Sequence, residues 1–232
     1  MKKTFLIILS LIFFIINIFP QDDIIGAKSL MEKLSETVKK NVKDYKADVK
    51  WMNGDAVSSG KLYFKNPQKV KIEYKDPAGQ VFCTNGYELW IHIPSMSATL
   101  HQNILDKEKK RNEDGTVETV KNPIFLSPVG YDKLLSEYAI EYHETKEKVV
   151  YKDTKVYKFK LLRWKSARNG INTIYLMIDE NGMIRQAKAI TANFRQISIE
   201  YDNITLNSGL SDMMFNYEPP AHATVIDDFM SK

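Results

Sequence analysis

The chain has 232 residues, of which 44% are hydrophobic and 27% charged, and its 33 Lys and Arg stand against 29 Asp and Glu for a formal net charge of +4. So even a balance, with no long basic block, gives no footing for nucleic acid. The only cysteine is Cys83, so an intrachain disulfide is excluded and stability has to come from burial.

The first segment reads as an address. Lys2 and Lys3 precede an almost unbroken apolar run from Phe5 to Phe19, closed by Pro20, Gln21 and two aspartates, which is the order of a secretory signal. Residues 1–21 are therefore assigned to export and 22–232 to one domain. A small-x-small cleavage site is not obvious at Asn17 to Pro20, so an uncleaved anchor stays open as the alternative. No cysteine lies near this junction to receive lipid.

Ile24, Ala27, Met31, Leu34 and Val38 then recur at intervals of three and four, opposite a face of lysines and glutamates, and predict an amphipathic helix capped by Asp22 and Asp23. From Tyr45 the period falls to two. Tyr45, Ala47, Val49 and Trp51 alternate with polar residues, and after the turn at Asn53-Gly54-Asp55 a second strand runs from Val57 to Phe64. Val70, Ile72 and Tyr74 alternate with Lys69, Lys71, Glu73 and Lys75, and a proline turn and the Asn85-Gly86 hairpin separate further strands at Val81 to Thr84 and Glu88 to Ile93.

A charged run from Asp106 to Thr116 predicts a solvated loop. Asn122-Pro123 and Ser127-Pro128 each set a capping residue before a proline and predict two short helices, the second running into Tyr138. Strands resume at Tyr138 to His143, Lys148 to Tyr151, Lys155 to Trp164, Ile171 to Ile178, Met183 to Thr191, Phe194 to Tyr201 and near Met214 to Tyr217. Short turns between successive strands imply an antiparallel sheet of about eleven strands. A sheet that size must close, stack or be covered. About three short helices are too few to pave it but enough to cover the mouth of an incomplete barrel, so the expected class is mainly β with a helical lid over a hydrophobic cavity. A dry, filled core satisfies the same pattern.

Catalysis has little to stand on: there is no phosphate-cradling glycine loop, nucleophile elbow, paired-cysteine or His-x-x-x-His spacing. Cys83 reads as a small strand residue beside Phe82, and no cofactor is expected.

Gly60, Leu62, Phe64, Lys65 and Pro67, then Val70, Ile72, Tyr74, Pro77, the Asn85-Gly86 turn, Leu89, Trp90 and Pro94 form an ordered series. With Pro123 to Leu126, with Asp179, Gly182 and Ile184, and with the ending Phe215, Tyr217, Pro219, Pro220, Val225, Ile226 and Asp227, it resembles the LolA family of periplasmic outer-membrane lipoprotein carriers, one of a group of related half-barrels.

That resemblance implies a monomeric periplasmic chaperone that shelters lipoprotein acyl chains. An inner-membrane ABC-type exporter would load it, and an outer-membrane acceptor or the outer membrane itself would unload it. A membrane-tethered acceptor or an envelope lipid or stress sensor, built on the same half-barrel, is the competing expectation. Val70, Ile72 and Tyr74 are the expected cavity wall, joined by Phe64, Phe82, Leu89 and Ile93, while Met31, Leu34, Ile124, Phe125 and Leu135 are the expected lid. Met31, Met52 and Met96 are read as soft, adaptable residues near the lining. The family commonly carries an arginine latch just before the strand-opening proline; this chain has Asn66 there, with no charge and less reach.

Overall fold

The computed structural model describes residues 26–104, 130–165 and 170–229. The signal segment, Ile124, Phe125 and the first of the two short mid-chain helices lie outside the described residues.

Helix α1 spans Ala27–Asn41 and α2 spans Gly130–Glu137. The strands are β1 Asp44–Asn53, β2 Ala56–Lys65, β3 Lys69–Asp76, β4 Val81–Thr84, β5 Glu88–Ile93, β6 Ala98–Asn103, β7 Tyr138–Tyr142, β8 Val149–Tyr151, β9 Thr154–Arg163, β10 Ile171–Asp179, β11 Ile184–Thr191, β12 Gln196–Leu206 and β13 Thr224–Asp227. Two 3-10 turns, Pro94–Met96 and Asp212–Phe215, complete the described elements.

All thirteen strands belong to one sheet in the order β13-β6-β5-β4-β3-β2-β1-β12-β11-β10-β9-β7, with β8 sharing the β9 edge. The sheet does not close, since β13 and β7 end it on opposite sides. Two strands exceed the sequence expectation. β6 lacks a clean alternation because Ala98, Thr99 and Gln102 are all buried, so both of its faces are covered. β13 pairs with it in parallel, the one exception to antiparallel order, with Thr224 opposite Ala98. The strand expected near Met214 is instead a 3-10 turn, capped where the Ser211 hydroxyl accepts the Met213 N–H at 3.3 Å.

The ends of both helices also differ from the pattern. Gly26, not an aspartate, occupies the N-cap of α1. Tyr138 opens β7 rather than closing α2. Ala27, Met31, Leu34 and Val38 are buried, the stripe that the three-four spacing gives. That stripe meets one face of the sheet, called here the inner face. Cross-strand partners share a face, so the register lays out its rows: Tyr142, Phe159, Leu176, Ala187, Ile199 and Trp51 in one, and Ala47, Leu62, Ile72, Phe82 and Ile91 in another.

Gly60 marks a bend. A Cβ there would stand 2.4 Å from the Glu73 carbonyl oxygen, and the β2–β3 register shifts between Ser59 and Gly60. Only glycine lets the two backbones approach so closely.

Candidate functional site: the inner face and its helices

Of the expected wall, Phe64, Val70 and Ile72 are almost completely buried and contiguous, with Phe64 opposite Val70 and Ile72 opposite Phe82. Tyr74 and Phe82 are partly buried and pack on the same cluster. Leu89 and Ile93 are half-buried on the inner face, opposite Thr84 and Ala98, beyond that cluster. Among the expected lid residues, Met31 and Leu34 are buried in the cluster and Leu135 packs against it. Of the three methionines expected near the lining, Met31 alone lies in this cluster. Met52 pairs with Val57 and Ser198 on the outer face, and Met96 is exposed in the 3-10 turn after β5.

Asn66 is exposed. Its backbone N–H donates to the Lys43 carbonyl at 2.8 Å, and its side chain has no hydrogen-bond partner among the described residues. Polar ties between helices and sheet lie elsewhere. The Tyr131 hydroxyl, at the start of α2, donates to the Gly182 carbonyl at 2.7 Å. Lys39 of α1 pairs with Asp132 of α2. At the far end of α2, Arg163 donates to Glu137 at 3.0 Å and the Trp164 N–H to the Glu137 carbonyl at 3.1 Å.

The β10–β11 turn receives the Tyr131 bond and also seats α1. Buried Asp179 accepts the N–H groups of Asn181 and Met183 at 3.0 and 2.9 Å, and Arg185 Nε at 2.8 Å. The turn it holds places Gly182 directly under α1, where a Cβ would meet the Leu34 carbonyl oxygen at 2.4 Å. The Asp-x-x-Gly spacing was visible in sequence, but the role of Tyr131 was not, because nothing local distinguishes it from a core tyrosine.

A second anchor fixes the end of α1. Asn207 Nδ2 donates to the Asn41 carbonyl at 2.9 Å while its Oδ1 accepts the Lys43 N–H at 2.8 Å. Buried Asp44 accepts Ser208 N–H at 2.7 Å and Gly209 N–H at 3.1 Å. The chain from Asn207 onward thus wraps beneath the sheet and carries Phe215 and Tyr217 to the outer face, where Tyr217 meets Trp90 and His92.

Cys83 lies under that wrap on the outer face, opposite in direction to its neighbour Phe82, and its Sγ donates to the Phe215 carbonyl at 3.4 Å. Burial first, with Glu73 adding and Lys71 opposing, pushes its thiol up to about 11. The thiol is therefore protonated at neutral pH and a poor nucleophile. A thiol raised by burial in the folded state costs nothing below its unfolded value of about 8.5 and lowers stability as pH rises from there toward 11. Native protein at pH 8 is expected to label with a maleimide at least about tenfold more slowly than urea-unfolded protein; equal rates would mean that the C-terminal wrap does not shield Cys83.

Among the described residues no helix is long and apolar enough to cross a membrane. A protein of Legionella pneumophila strain Paris, named outer-membrane lipoprotein carrier protein, is 25% identical over 228 residues, covering 97% of this chain and 99% of its own. A protein of Haemophilus ducreyi with the same name is 24% identical, over 85% of this chain and 83% of its own. Among solved structures, an uncharacterized conserved protein from Thermus thermophilus shares the fold at a TM-score of 0.56 and 9% identity, over 84% of this chain and 98% of its own. MucB in its complex with MucA from Pseudomonas aeruginosa does so at 0.53 and 10% identity, over 86% of this chain and 63% of its own. The model of the outer membrane lipoprotein carrier protein LolA matches residues 48–218, from β1 past the Phe215 turn, and the chain belongs to that family.

Proposed function

We propose that this chain is a periplasmic chaperone that takes up the acyl chains of lipoproteins leaving the inner membrane and carries them to the outer membrane. The observation that supports this most is the lopsided build: an open sheet of thirteen strands whose apolar inner face is covered, among the described residues, by two helices only. Each buried methylene is worth about 0.8 kcal/mol, so a chain of some fifteen methylenes costs roughly 12 kcal/mol to leave in water. Free diffusion between membranes is negligible at that cost, and a covered apolar face removes most of it.

The parts then have roles. Phe64, Val70, Ile72, Tyr74 and Phe82 form the wall, with Leu89 and Ile93 extending it toward β6. Met31, Leu34 and Leu135 belong to the moving cover. Strand hydrogen bonds run continuously from β13 to β7, whereas the helices are held by apolar contact and a handful of polar ties. Room for cargo is therefore made by displacing helices, not by opening the sheet. Tyr131 and the Lys39–Asp132 pair serve as latch in place of Asn66. The chain works without catalysis. Loading energy comes from an ABC-type exporter in the inner membrane, and unloading takes place at the outer membrane or an acceptor in it.

Native mass spectrometry of protein recovered from the periplasm is expected to show bound lipoprotein; protein recovered only with membranes points to a tethered acceptor instead. Phe82→Asp tests the wall. Phe82 is half-buried, so a carboxylate there stays hydrated and the fold persists, yet it puts charge against the acyl path. Affinity for a fluorescent fatty-acyl probe is expected to fall by about tenfold or more, and unchanged affinity would remove Phe82 from the wall.

A further inference from the structure

Buried polar side chains in this protein are mostly accounted for. Asp44 and Asp179 accept backbone donors, Gln186 donates to Glu200, and His92 pairs with Thr99. Two hydroxyls in the helix–sheet interior are not. The Tyr201 hydroxyl and Ser35 Oγ are both buried and have no hydrogen-bond partner among the described residues. A buried donor left unmet costs about 1–3 kcal/mol, and a helical serine ordinarily escapes that cost by bonding the carbonyl four residues back. Phenylalanine at 201 and alanine at 35 would fill the same places without it.

Their location is specific. Tyr201 stands opposite Val49 on the inner face, in the middle of the sheet. Ser35 lies on the buried stripe of α1 with Met31, Leu34 and Val38. Tyr45, Tyr131 and Tyr201 all belong to the buried cluster between the helices and the sheet. Burial pushes the pKa of all three phenols up, so they remain protonated donors throughout the physiological range. Tyr131 spends its proton on Gly182. Tyr201 keeps its own.

We propose that Tyr201 is the polar subsite of the apolar interior and receives the ester carbonyl of an acyl chain. The inference rests on the acyl-carrier reading and sharpens it to a substrate class. A neutral carbonyl fits because it accepts from Tyr201 without bringing charge. A free carboxylate does not, since no lysine or arginine is among the buried residues described and an unpaired charge there is far costlier than an unmet hydroxyl. The site therefore favours esterified acyl groups over free fatty acids, and hydrocarbon alone gains nothing from it.

The test uses full-length purified protein loaded with a fluorescent apolar dye, displaced by hexadecane, methyl palmitate or palmitate at pH 7.5, in wild type and Tyr201→Phe. Wild type is expected to bind methyl palmitate about fivefold to tenfold better than Tyr201→Phe does, with hexadecane displacing equally from both and palmitate weakest on wild type. Unliganded Tyr201→Phe is expected to melt at the wild-type temperature or above it, because the change removes an unmet group. Equal methyl palmitate affinities, or a lower melting temperature for the variant, overturn the subsite while hexadecane binding leaves the carrier reading standing. Failure of every hydrocarbon to displace the dye from wild type overturns both.

Discussion

Gly182→Val is expected to destabilise the protein by about 2–5 kcal/mol, a loss near 10 °C in melting temperature. Two penalties add. Gly182 has φ +79°, a left-handed conformation that a β-branched residue adopts at a cost of about 1–2 kcal/mol. Its Cβ would also fall 2.4 Å from both the Leu34 carbonyl oxygen and Val38 Cγ2, and the first of these is helix backbone that yields only if α1 moves as a whole. Overpacking of that kind costs a further 1–3 kcal/mol or so. Gly209→Val separates the terms, for Gly209 has φ +70° but open space around its Cβ position. It is expected to lose only the conformational part. Equal losses for the two variants in urea unfolding would mean that the β10–β11 turn is not the seat of α1.

The contrast between these glycines also shows what a sequence can and cannot display. Period-two alternation located β1, β2 and β3 almost to the residue, and with them the buried row of Phe64, Val70 and Ile72, because one apolar face against water writes itself into every second position. It missed β6, whose two covered faces erase the alternation, and β13, whose four residues are all exposed and held by edge pairing and the Asp227–His101 contact. Turn chemistry exposed the Asn85-Gly86 and Asp179-Gly182 hairpins, since φ above zero selects glycine. It could not say that one turn faces solvent and the other faces a helix. The cover was half legible: the stripe of α1 was plain, while the bond from Tyr131 to Gly182 joins residues 51 apart in sequence and leaves no local mark. Resemblance pointed to Asn66 as latch, yet the polar ties sit at Tyr131, Lys39 and Asn207.

Met31→Asp is expected to cost about 6 kcal/mol at pH 7, and most of that cost is expected to vanish in acid. Met31 is completely buried at the centre of the α1 stripe, against a cluster that holds no lysine or arginine among the described buried residues. Truncating the side chain alone costs about 2–3 kcal/mol. Keeping the new carboxyl inside requires it to be neutral, and holding it so at pH 7 when its unfolded value is about 3.9 adds roughly 4 kcal/mol. Lifting α1 instead exposes Ala27, Leu34 and Val38 together, at a comparable or larger cost. The sign follows: a carboxyl raised in the folded state costs nothing below about pH 3.9 and progressively more as pH climbs toward its folded value. Measured against wild type at each pH, the deficit should therefore shrink between about pH 7 and about pH 4.5, while that of Met31→Asn stays level. A level deficit for the aspartate would show that water already reaches Met31 with the helix down, and a cover that admits water there cannot keep an acyl chain dry.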